Sequence, residues 1–230
     1  MSCGIIALVL AFRRSHRRSF VVLPLLLVST ACGLLGLQSE PRTPSSASSP
    51  EPPLGAPATA PPVWRLGDRW VFEWRAGNNT GTKTVTVLET HDVGGVSYYV
   101  VRIGDVEHYY TAELHWAFAV RDSKVEARTV PPKPWFAWPL EVGRRWQHRA
   151  SFEDQGGRVV DLDTFRVVGV EPVEVPAGRF QALKIVREGQ GAETDEYWYV
   201  SEVRWYVRWV GRRAGFAFEE RLERYDPAPR

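Results

Sequence analysis

Arg69-Trp70-Val71-Phe72-Glu73-Trp74-Arg75 is the stretch that decides the fold. Trp70, Phe72 and Trp74 fall on every second residue, with Val71, Glu73 and Arg75 between them, which is the period of a strand with one buried face. Gly77-Asn78-Asn79-Thr80-Gly81 follows as a hairpin turn. Lys83–Thr90, Val96–Ile103, Glu107–Thr111 and Leu114–Arg121 read as further strands, with a second turn at Asp92-Val93-Gly94-Gly95. No twelve-residue window supports an amphipathic helix. The expectation is an all-β domain over residues 63–226, with antiparallel sheets forming a curved sandwich or open barrel.

The pattern recurs down the chain. Leu66-Gly67-Asp68-Arg69-Trp70 returns as Val142-Gly143-Arg144-Arg145-Trp146, and the turn at Gly77–Gly81 falls on Glu153–Gly157. Val100-Val101-Arg102 aligns with Ile185-Val186-Arg187, and Tyr110–Trp116 with Tyr199–Trp205. This predicts two sequence-similar halves, 63–139 and 140–226, sharing one core. Leu114, Trp116, Phe118 and Val120 should form one strand face, equivalent to Val203, Trp205, Val207 and Trp209. Trp70 should match Trp146, and Trp116 should match Trp205. The drift in spacing points to an insertion at Val175–Phe180, read as a tight reversal in which Gly178 supplies a positive φ.

The N-terminus carries a different message. Arg13–Arg18 is a basic block, and Phe20–Leu37 is free of charge, the n-region and h-region order of a signal peptide. Arg17-Arg18-Ser19-Phe20 fits either twin-arginine or general secretory export. Residues 1–12 hold an additional apolar stretch that a translation start placed too far upstream would explain. Val28-Ser29-Thr30-Ala31-Cys32-Gly33 resembles a bacterial lipobox, which makes Cys32 the expected lipidation site, although Ser29 stands where Leu is usual. Cleavage without acylation at the same bond, or retention of Phe20–Leu37 as an anchor, remain alternatives. Residues 1–37 are thus the targeting region, and 38–62, rich in Pro, Ser and Ala, form a linker too polar to pack.

Charge follows the same division. The net charge of +2 includes four arginines in residues 1–31, where there is no acid, so the rest of the chain is net negative. That counts against nucleic acid as a partner. Cys3 and Cys32 are the only cysteines, so the β-domain has neither disulfides nor thiolate metal sites. The expected location is the cell envelope, exported and membrane-anchored through an N-terminal lipid.

Trp64–Trp70, Pro139–Trp146, Val175–Ile185 and Tyr197–Val203 together resemble a group of bacterial secreted and lipoprotein β-domains similar to domain-of-unknown-function family 3108. The resemblance implies an envelope β-domain without established activity and brings no catalytic residues.

The chain has no nucleophile elbow, phosphate loop, zinc-helix or dinucleotide motif, so no catalytic residue, metal site or cofactor is expected. His108 and His115 lie in neighbouring strands but read as polar sheet positions. Asp161 and Asp163 share a strand face and read as solvated acids. Arg204–Arg213 interleaves cations with aromatics, yet strand alternation puts Trp205, Val207 and Trp209 on one face. Two uses are left: binding or carrying a hydrophobic ligand, or docking another envelope protein.

Overall fold

The computed structural model describes residues 58 and 60–228. Cys32, the targeting region and all but the end of the linker lie outside the described residues. Twelve strands follow in order: β1 (Arg69–Ala76), β2 (Asn79–Val93), β3 (Val96–Ile103), β4 (Val106–Tyr110), β5 (His115–Arg121), β6 (Lys124–Pro134), β7 (Arg145–Asp154), β8 (Gly157–Val175), β9 (Gly178–Glu188), β10 (Thr194–Val200), β11 (Trp205–Arg213) and β12 (Phe216–Asp226). A single 3-10 turn, Gln190–Ala192, joins β9 to β10.

Each strand pairs antiparallel with its sequence neighbours, and β12 returns to pair with β1 from Arg69↔Asp226 to Ala76↔Phe218. The architecture is therefore a closed up-and-down barrel, more specific than the curved sandwich or open barrel expected. The β1–β12 ladder leaves no edge, which is why closure wins over two facing sheets.

Strand direction alternates, so the connections sort to two ends. Gly104-Asp105, Asp122-Ser123, Gln155-Gly156 and the Gln190–Ala192 turn lie at one end, and residues 60–68, 111–114, 135–144 and 201–204 lie at the other. That second end is plugged. Trp64 enters the core, with ring centroids 5.4 Å from Trp70, 5.5 Å from Tyr110 and 4.7 Å from Trp205, and its Nε1 donates to the Arg204 carbonyl at 3.1 Å. Leu114, Phe136 and Leu140 are buried beside it. The linker does not stop short of this packing. Ala58 is buried and accepts from the Leu140 amide at 2.8 Å, because its small side chain fits against the plug.

The outer wall is a lattice of ion pairs, including Arg75–Glu219, Arg102–Glu107, Arg128–Glu153 and Arg212–Glu196. Lys184 and Arg208 both sit over the ring of Trp198. A membrane-spanning barrel presents an apolar band there instead.

The expected strand face in β5 is broken. Leu114 has φ 64 and belongs to the turn before the strand. A bulge between Trp116 and Phe118 then reverses the alternation, so Ala119 is buried while Phe118 stacks on Tyr109 in the outer wall at 4.2 Å. One extra residue turns every later side chain over.

Local geometry recurs between the two parts of the chain. Gly67 and Gly143 both have φ 91. Gly67 N donates to Val87 O and Val87 N to Asp68 O; Gly143 N donates to Val167 O and Val167 N to Arg144 O, all at 2.9 Å. A register shift follows in each case, between Val87 and Glu89 and between Val167 and Gly169. The turn at Leu114 has its counterpart at Arg204, where φ is 61. The correspondence differs in detail from the sequence alignment. Val101, not Val100, occupies the ladder position of Ile185, and the turn after β1 corresponds to Gln155-Gly156. The reversal after β8 is the two-residue turn Pro176-Ala177, with Gly178 at φ 133.

Candidate ligand-binding cavity

The inner wall is not uniformly apolar. Lys83, His108, Lys133, Asp163, Arg187, Asp195 and Glu220 are all at least nine-tenths buried, a costly arrangement unless each charge is paired. All but His108 form two clusters.

In the first, Lys83 Nζ contacts Glu220 Oε2 and donates to Tyr206 Oη at 2.9 Å, and Tyr206 Oη donates to Glu220 Oε2 at 2.7 Å. Burial pulls the Lys83 ammonium down, with the Glu220 charge opposing it. Lys83 also sits 5.1 Å from the Phe72 ring centroid and 5.7 Å from that of Trp209.

The second centres on Arg187. Its Nε donates to Asp163 at 2.7 Å and its Nη1 to Asp195, while Lys133 Nζ lies 2.6 Å from Asp163. Trp209 Nε1 and Arg213 complete the shell of Asp195 at 3.1 and 3.2 Å. Burial alone would raise the Asp163 carboxyl, but the neighbouring His148 ring and the Lys133 and Arg187 charges outweigh it and hold it well below the carboxylate range. Burial would lower the Arg187 guanidinium, and Asp195 and Asp163 reverse that.

Between these clusters lies a cavity of about 170 Å³. It reaches from Phe136 and Trp205 at the plugged end to Asp105, Arg121 and Glu126 near the turns of the other end. Trp116, Trp135, Trp205 and Trp209 line it, so the tryptophans both fill and enclose: Trp64 and Trp70 plug, and these four surround space. Its polar groups are mostly donors. Trp116 Nε1 donates to His108 Nδ1 at 3.2 Å, which leaves the proton of the neutral ring on Nε2. Burial, aided by the Lys83 charge, pushes His108 down to about 3. Tyr197 Oη and Trp205 Nε1 are buried without a hydrogen-bond partner.

The sequence-singled residues are redistributed. Asp161 and Asp163 are buried in the inner wall, Asp163 paired with Lys133 and Arg187, rather than solvated; the strand's period puts them on the side of Phe165 and Val167. His108 and His115 do not meet, since the β4–β5 register sets His108 opposite Ala119, four residues along the strand from His115. Lys83, Arg187, Asp195, Tyr197 and Glu220 carried no sequence motif. Their signal was alternation alone, Lys83 with Val85 and Val87, and Glu220 with Phe218 and Leu222. Among the described residues, no group of three or more His, Cys, Asp or Glu could hold a metal ion.

These features define a class: a closed antiparallel barrel with a charged outer wall, one plugged end and an internal aromatic cavity. Three solved structures are similar. A candidate exported protein with a YmcC-like fold from Bacteroides fragilis matches at 12% identity and TM-score 0.44, over 74% of this chain and 100% of that one. A candidate lipoprotein from Parabacteroides distasonis matches at 12% identity and TM-score 0.41, over 74% and 99%. The hypothetical lipoprotein YmcC of Escherichia coli matches at 10% identity and TM-score 0.37, over 72% and 87%. No protein-family model and no curated protein matches the chain, so the resemblance to family 3108 rests on the quoted segments alone.

Proposed function

We propose that this protein is an exported envelope lipoprotein, anchored through Cys32, whose barrel binds a small hydrophobic ligand. The observation that carries the ligand reading is the cavity ringed by Trp116, Trp135, Trp205 and Trp209. Its volume, about 170 Å³, sets the scale. A dry cavity of about 150 Å³ accepts benzene, so the occupant is the size of a ring and not a two-chain lipid. The reading is non-enzymatic: the buried charges pair with one another, and among the described residues no nucleophile is placed beside a base.

Native mass spectrometry of protein purified from membranes tests the proposal. The expected result is a mature chain starting at acylated Cys32 with a small-molecule adduct. Ala119 and Ala127 lie in the cavity wall, and Ala119→Leu should abolish the adduct while the barrel stays folded. Absence of any adduct, together with no binding of toluene by the unmodified chain, would overturn the ligand reading.

A second reading, docking to an envelope protein, is favoured by one feature. Tyr98, Tyr109 and Phe118 form an aromatic cluster on the outer wall, with Tyr98 5.5 Å from Phe118. Tyr109→Ser with Phe118→Ser should then disrupt co-purification with a defined partner and leave the adduct intact.

The repeated turn and ladder geometry supports reading residues 63–226 as one domain made of two copies, 63–139 and 140–226. Each copy supplies six consecutive strands to one core.

A further inference from the structure

The cavity does not offer its occupant a purely hydrocarbon surface. Tyr197 and Trp205 are 3% and 6% exposed, line the cavity, and have a hydroxyl and an indole N–H without partners. Burying a donor without an acceptor is costly, and a ligand that supplies the acceptor removes that cost. The indole can only donate. The Nε2–H of His108 is a third donor in the same wall. Both orphaned groups belong to one neighbourhood, because the Tyr206 ring lies 6.1 Å from Tyr197 and 5.4 Å from Trp205.

Charge excludes the ionic alternatives. The cavity wall holds equal numbers of cations and carboxylates, and Asp163 and Asp195 stand directly behind it, so an anion gains nothing. A cation is no better placed. Lys133 already sits 4.9 Å from the Trp135 ring and Lys83 5.7 Å from those of Tyr206 and Trp209, so three of the aromatic faces that would attract it already have a cation, whose charge repels another.

We infer that the cavity selects an uncharged, ring-sized molecule bearing a carbonyl-type hydrogen-bond acceptor, which Tyr197 Oη and Trp205 Nε1 would hold. This rests on the proposed ligand-binding role and adds a chemical class to it. Calorimetric titration of the full chain with acetophenone and with cumene, which have similar shapes but differ in the acceptor, tests it. The ketone should bind about tenfold or more tightly, as two unmet donors gain a partner. Tyr197→Phe and Trp205→Phe should each shrink that preference several-fold by removing a donor, and Tyr197→Phe, which changes one polar atom alone, should leave cumene affinity within about twofold. Tyr197→Phe removes a single oxygen, so it remains a fair test if Trp205→Phe perturbs packing. Equal affinity of the unmodified chain for the two compounds would overturn the acceptor proposal while leaving the ligand-binding role standing. Binding of neither would overturn both.

Discussion

Single residues carry much of the stability in this barrel because so many buried ones are ionisable. His108 titrates near 6.5 in the unfolded chain and near 3 in the fold, because burial and Lys83 disfavour its cation. As pH falls below 6.5, the unfolded state gains a proton that the folded state refuses. Stability present above 6.5 is therefore lost progressively towards pH 3, by about 1.4 kcal/mol per pH unit from this group. Asp163 adds to the loss only below the unfolded carboxylate range near 3.8. Thermal melts at pH 4 to 7 should thus show a slope that His108→Gln flattens, with a smaller remainder from His115, also lowered chiefly by burial. An unchanged slope would mean that His108 is charged in the fold. Gly211 is a second sensitive position. A Cβ there would stand 2.2 Å from the Phe218 ring and 2.8 Å from Asp195 Oδ1. Gly211→Ala should cost about 1–3 kcal/mol by overpacking, read as a fall of several degrees in Tm, about 2–4 °C per kcal/mol for a domain of this size. The inward charges were legible in part. Alternation already groups Asp161 and Asp163 with Phe165 and Val167, but charge was read as a sign of solvent. The pairing partners that make burial tolerable lie on other strands, Lys133 on β6 and Arg187 on β9, where spacing along the chain says nothing.

At the level of elements, the strands up to Arg121 followed from period two and the turn residues, whereas the bulges did not. Nothing local in Trp116-Ala117-Phe118 announces the extra residue that sends Phe118 outward, since it answers a mismatch with both neighbouring strands. The β6–β7 ladder is another feature set by tertiary context. It has four residue pairs, Ala127↔Asp154 to Val130↔Ser151, while β7 and β8 share ten. Pro131, Pro132 and Pro134 have no N–H to offer beyond that point. Side chains bridge the gap instead: Trp146 Nε1 donates to Pro134 O at 2.9 Å and His148 Nε2 to Pro131 O at 3.1 Å. Hydrogen exchange should expose this seam. Amides of Arg145–Ala150 that point towards β6 should exchange faster than their alternating neighbours bonded to β8, and uniform protection would contradict a weak seam. Across the barrel, Gly178 at φ 133 makes the β8–β9 hairpin sensitive, and Gly178→Val should lower stability by about 1 kcal/mol or more in chemical denaturation.

For the molecule as a whole, the sequence indicated an all-β domain with a shared core but not its closure. Closure depends on β1 meeting β12, a pairing of the first and last strands that no local pattern records. The plug was likewise hidden, because Ala58 falls within the expected linker and Trp64, though inside the expected domain, precedes the first strand. Asp68 ties these parts together. Its carboxylate accepts from Arg65 N at 2.9 Å, Arg204 at 3.1 Å and Ala228 N at 2.8 Å, which joins the entry to β1, the β10–β11 turn and the exit from β12. A ring of strands closed in this way has no intrinsic first member. If the entry to β1 were joined to the exit from β12 by a short polar linker and the chain reopened at Gln155-Gly156, every ladder could still form, but β1–β12 would become a local hairpin and β7–β8 the long-range closure. Such a circular permutant should recover the same far-ultraviolet circular dichroism and the same ligand preference, with altered refolding kinetics, because chain connectivity sets the order in which loops close and not which strands finally meet.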